Sequence, residues 1–84
     1  MPEYFIMTIS DANGKFETDL EIPSDLPFAM FRDKLLEILK MMYGQTFMNW
    51  YGFSLKFHDH RFHDLDTLAN VGAFDGSYLM VERA

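Results

Sequence analysis

Phe16, Thr18, Leu20 and Ile22 alternate with Lys15, Glu17, Asp19 and Glu21. A period of two with one acidic side predicts a strand that keeps one face in water. The preceding run, Tyr4-Phe5-Ile6-Met7-Thr8-Ile9-Ser10, is rich in β-formers and has no breaker. Between the two lies Asp11-Ala12-Asn13-Gly14, and Asn-Gly favours a hairpin turn because both residues tolerate positive φ. Residues 4–22 are therefore expected to form an antiparallel hairpin.

The period then changes. Phe28, Phe31, Leu35, Ile38, Leu39 and Met42 recur at steps of three and four, while Asp33, Glu37 and Lys40 fall on the opposite side. That is one apolar stripe of an amphipathic helix. Pro27 suits its first turn, and Gly44 is placed to end it after Tyr43. Met30 and Met41 lie off the stripe and are expected either to touch a second layer or to be exposed. Alternation returns at Phe53-Ser54-Leu55-Lys56-Phe57, followed by a turn at His58–Arg61 and a short strand at Phe62. Residues 64–70 read as a loop with a brief helical turn anchored by Leu65 and Leu68. Asp75-Gly76 is a turn, and Tyr78 to Glu82 a last strand. The order is hairpin, helix, then two to three further strands. It predicts one α+β two-layer roll over residues 1–84, with the last strand beside the first in a mixed sheet.

Composition adds exclusions. The net charge is −6, which argues against nucleic acid and anionic membrane surfaces. There are no Cys residues, hence no disulfides, thiolate metal site or Cys nucleophile. Met1-Pro2-Glu3 lacks the basic start of a signal peptide, and no apolar run approaches the length of about 18 residues needed for a span. A cytoplasmic protein without membrane insertion is expected. Stability must come from the core, and nine Phe, four Tyr and one Trp supply an aromatic excess for it.

The residues now support a resemblance. Ser54-Leu55-Lys56-Phe57, through Asp64, Thr67-Leu68, Ser77 and Leu79, resembles the second half of ubiquitin without a gap. Asp19-Leu20-Glu21-Ile22-Pro23-Ser24-Asp25-Leu26-Pro27 resembles the D-L-x-[VI]-P-x-x-L-P strand-to-helix junction of the YukD/EsaB family, small bacterial ubiquitin-like proteins encoded with type VII (WXG100) secretion systems. Leu68 to Leu79 is similar to that family's L-x-x-x-G-[IV]-x-x-G-D-x-L ending, with Ser77 in place of Asp. The resemblance implies a ubiquitin-like β-grasp fold and a protein partner, such as a type VII secretion component. A general β-grasp adaptor unrelated to secretion is the alternative. A modifier or sulfur carrier needs a Gly-Gly tail, whereas this chain ends Val81-Glu82-Arg83-Ala84, so conjugation is not expected. Where ubiquitin's receptors grip an aliphatic face, the matching positions carry Lys56, Met80 and Glu82. Ordinary ubiquitin-binding modules should not bury those charges.

Three groups of residues are candidates for chemistry. His58, His60 and His63, with Asp59, Asp64 and Asp66, crowd one segment. His58 and His60 at i, i+2 could share a face as weak metal ligands, but a polar turn explains them as well. For catalysis, Ser10, Ser24, Ser54 and Ser77 have structural explanations, and Glu17 and Glu21 sit on a solvated face. No enzyme activity and no cofactor are expected. The third group is Met41, Tyr43, Phe47, Met48, Trp50 and Tyr51, with Phe53 at its margin. Two or three of these can cap the core. The surplus is expected to bind a partner or to self-associate, since Trp and Tyr are enriched in binding hot spots.

Overall fold

The computed structural model describes residues 3–84. Strands β1 (Tyr4–Asp11) and β2 (Glu17–Pro23) form the hairpin, followed by α1 (Phe28–Met42) and the single turn α2 (Gly44–Phe47). Then come β3 (Phe53–Phe57), β4 (His60–Arg61) and β5 (Tyr78–Arg83). The sheet order is β2-β1-β5-β3-β4. β1 and β5 are parallel, with Ile9 opposite Leu79, and the other pairs are antiparallel. This is the ubiquitin-like β-grasp roll: one helix packed across a mixed five-stranded sheet, with the last strand beside the first.

The core is what the two periods dictate. Met7, Ile9, Ile22, Leu55, Leu79 and Val81 point inward from the sheet, and Phe28, Phe31, Leu35 and Leu39 from the helix. Phe28 is ringed by Phe31, Phe53 and Phe62, with ring centroids 5.5, 5.8 and 5.7 Å away. Phe16 and Phe57 are buried as well. Each buried Phe contributes about 1.5–3 kcal/mol relative to exposure. In a chain with no cross-links, these rings supply the core.

Several local expectations are corrected. Met42 is 48% exposed, because the inward position after Leu39 is taken one residue later by Tyr43, which packs on Phe16. Gly44 does not terminate α1 in a left-handed conformation. The break is at Tyr43 (φ −135°, ψ 57°), and Gly44 starts α2. Leu65 is no anchor, being 82% exposed, while Leu68 is fully buried. The turn after β3 is confined to His58-Asp59: His60 pairs with Phe57 in β4, and Phe62 follows that strand, donating its N–H to the Leu55 carbonyl at 2.8 Å.

Pro27 precedes the helix and has no capping side chain. Free N–H groups at a helix start need acceptors. Here the 64–66 loop supplies them: Phe28 donates to the Asp66 carbonyl at 2.8 Å and Ala29 to the Asp64 carbonyl at 3.0 Å. Arg32 then reaches the Asp64 carboxylate at 3.1 Å. On the far side of the chain, Ser77 Oγ accepts the Phe74 N–H at 3.0 Å, the kind of turn-closing contact an Asp would make there.

Candidate functional site

The aromatic segment between α1 and β3 is sorted by a local fold. Tyr43 donates its N–H to Leu39, and its carbonyl accepts from Thr46 and Phe47, so α2 turns straight back over the core. That places Phe47 fully inside, against Phe16 at 5.0 Å and Trp50 at 4.7 Å, both edge-on. Phe47 is therefore removed from the partner-contact set: no surface of it is available. Phe53 is buried too. Tyr43 and Trp50 are half-buried and pack on the core, and the Tyr43 hydroxyl donates to the Glu17 carbonyl at 3.3 Å.

The remaining residues stand in solvent: Met41 is 79% exposed, Met48 63% and Tyr51 89%. Met42, expected in the stripe, joins them. Lys40 Nζ lies 5.4 Å from the centre of the Tyr51 ring, a cation–π contact that orients a nearly free side chain. The segment is held at its end by Arg83, which donates to the Asn49 carbonyl at 3.1 Å. The fold thus needs three members of the cluster and leaves three large, flexible or amphipathic side chains exposed.

The histidines are arranged differently from the metal-ligand reading. His58 has φ +53° in the turn, so it does not share an extended face with His60. His60 Nε2 lies 2.8 Å from Asp66 Oδ2, and the same oxygen accepts the His63 N–H at 2.8 Å. Those bonds hold the Asp66 carboxyl below its ordinary value, the backbone bond first and the His60 bond second. Asp66 thereby ties β4 to the loop that caps α1. Among the described residues, no three potential ligands converge.

The face matching ubiquitin's receptor surface is closed by charge. Lys56 Nζ lies 3.2 Å from Glu82 Oε1, and Met80 sits opposite Lys56 in the β3–β5 ladder. Two features escape sequence reading. Asp75 Oδ1 accepts the Ile6 N–H, joining residues far apart in the chain. An apolar groove of about 240 Å³ lies between β2 and α1, with the off-stripe Met30 on its wall. Met30's position was the one signal for it.

No protein-family model and no curated protein matches this chain. Solved structures do. The EccD5 ubiquitin-like domain from Mycobacterium xenopi matches with a TM-score of 0.80 at 16% identity, over 99% of this chain and 97% of that one. The ubiquitin-like domain of the Mycobacterium tuberculosis type VII secretion system protein EccD1 gives 0.73 at 22% identity, over 94% and 97%. A chain of the MycP5-free ESX-5 inner membrane complex gives 0.78 at 12% identity, over 99% of this chain but 21% of that chain. This protein thus spans about a fifth of the ESX-5 chain it matches. These likenesses establish the ubiquitin-like fold. No helix among the described residues is long and apolar enough to cross a membrane.

Proposed function

We propose that this protein is a non-catalytic ubiquitin-like interaction module, of the YukD/EsaB kind, serving a bacterial type VII secretion system as a cytosolic accessory or regulatory component. The observation that carries the binding role is the exposure of Met41, Met48 and Tyr51 on a segment whose packing needs are already met by Phe47, Tyr43 and Trp50. Met adapts to irregular surfaces, and Tyr presents a large area with little entropy to lose. The secretion context draws on the strand-to-helix junction at residues 19–27 and on the likeness to EccD domains.

The test is co-purification of the tagged protein with type VII secretion components from its host. Wild type should retain a component that the Met48→Ala/Tyr51→Ala double variant loses, with circular dichroism unchanged. Equal retention by both proteins would remove this surface from the binding role. Retention of no secretion component would favour the general adaptor. Light scattering on the protein alone distinguishes self-association at the same surface.

A further inference from the structure

β2 is an edge strand, and the direction of its free backbone groups follows from the ladder. In β1, Thr8 donates to the Ser77 carbonyl and the Ile6 carbonyl accepts from Gly76, so these even-numbered residues serve the β5 side. Phe5, Met7 and Ile9 therefore serve β2, where their partners are Ile22, Leu20 and Thr18. The backbone groups of Asp19 and Glu21 must then face the open edge. An unpaired row of this kind is a template for another strand.

The side chains beside that edge differ by face. Leu20 and Ile22 line the apolar groove, joined from across it by Leu26, Met30, Phe31 and Ile38. On the other face, Glu17, Asp19 and Glu21 form an exposed acidic row, with Asp19 accepting the Thr8 hydroxyl at 2.8 Å. A strand added here would present alternate residues to each face. Its inward residues would meet apolar groove, and its outward residues would lie beside carboxylates.

We infer that the β2 edge and the β2–α1 groove take an extended segment of a partner protein in which apolar and basic residues alternate. Charge complementarity selects this occupant over a second copy of the chain. Two β2 edges paired antiparallel would bring one row of carboxylates beside another, and like charges on neighbouring strands repel. The net charge of −6 acts in the same direction. Among the described residues Lys34 is the one cation lining the groove; it stands on α1, where it pairs with Glu37 at 3.6 Å, and Glu21 lines the groove from the strand side. The exposed Met41, Met48 and Tyr51 are not part of this surface; the 41–51 segment touches it only at its end, where the Tyr43 hydroxyl donates to the Glu17 carbonyl at 3.3 Å.

The probe is a synthetic peptide of about eight alternating Val and Lys residues, long enough for a typical strand. Added to labelled protein, it should shift the amide resonances of Asp19, Leu20 and Glu21, more weakly as salt is raised. A Val–Glu peptide should not. Glu21→Pro removes the outward N–H while leaving the β1 ladder intact, because Pro is tolerated at such edge positions. It should weaken binding about tenfold, as expected for one lost hydrogen bond. Glu17→Lys/Glu21→Lys should reverse the preference in favour of the Val–Glu peptide. The inference is overturned by equal response to the two peptides, by shifts confined to other surfaces, or by no response at millimolar peptide. Dimerisation through β2 in the absence of peptide would overturn it as well.

Discussion

The rings of Phe47 and Trp50 meet edge to face, 4.7 Å between centroids, at the end of the core where α2 folds back. The two differ in burial, so their removal should differ in cost. Phe47 has no exposed surface, and Phe47→Ala should destabilise by about 3–5 kcal/mol through lost transfer energy and the cavity left behind. Trp50 is half-buried, so Trp50→Ala should cost about 1–3 kcal/mol. Tyr51→Ala, at 89% exposure, should stay within about 0.5 kcal/mol. Urea midpoints for the three variants check the ranking. A Tyr51 effect as large as that of Phe47 would contradict it.

Lys56 and Glu82 are the charges that stand where ubiquitin carries an aliphatic receptor face, and they neutralise each other at 3.2 Å. Both side chains are over a third exposed, so their pairing is worth about 0.2–1 kcal/mol at most. Lys56→Ile/Glu82→Val should therefore change stability by less than about 1 kcal/mol. Its effect should appear in recognition. Wild type should give no resonance shifts with a ubiquitin-interacting helix, while the double variant, with Met80 opposite position 56 and two residues before position 82, should give shifts on β3 and β5. Shifts in wild type would show that the ion pair does not block this face.

The element order was legible because each change of period coincides with a change of element: two in β2, three to four in α1, two again in β3. Core Phe residues were legible for the same reason. The aromatic segment was harder. Nothing local distinguishes Phe47 from Met48; only the break at Tyr43 and the turn of α2 send one inward and the other out. Leu65 looked like Leu68, yet only Leu68 faces the core. The groove depends on β2 being an edge, which is a property of the strand order rather than of the strand.

Asp75 is another residue whose role depends on topology. Its carboxylate accepts the Ile6 N–H and fixes the turn before β5 against β1. Next to it, Gly76 has φ +91°, a conformation open chiefly to glycine, and donates to the Ile6 carbonyl at 2.8 Å. Asp75→Ala should cost about 1–2 kcal/mol, and Asp75→Asn, which keeps an acceptor, should recover part of it. Gly76→Ala should cost about 1–3 kcal/mol from strain alone. Thermal melts of the three variants measure these differences. Equal stability of wild type and Asp75→Ala would mean that the turn holds without the carboxylate.

Asp66 gives the fold an acid-sensitive contact. Its carboxylate takes the His63 N–H and the His60 ring, and its pKa is lowered by them. A carboxyl that is more acidic in the folded than in the unfolded chain binds fewer protons in the folded state. Its contribution to stability is fully present above the unfolded value of about 4, and it is lost as pH falls through the folded pKa. Asp66→Asn should therefore be less stable than wild type at about pH 7, and the gap should close in strong acid, once Asp66 is protonated in both states. Urea midpoints of the two proteins across this range decide it. A gap that is constant with pH would show that the carboxylate's charge contributes nothing, leaving only its geometry to tie the loop to β4.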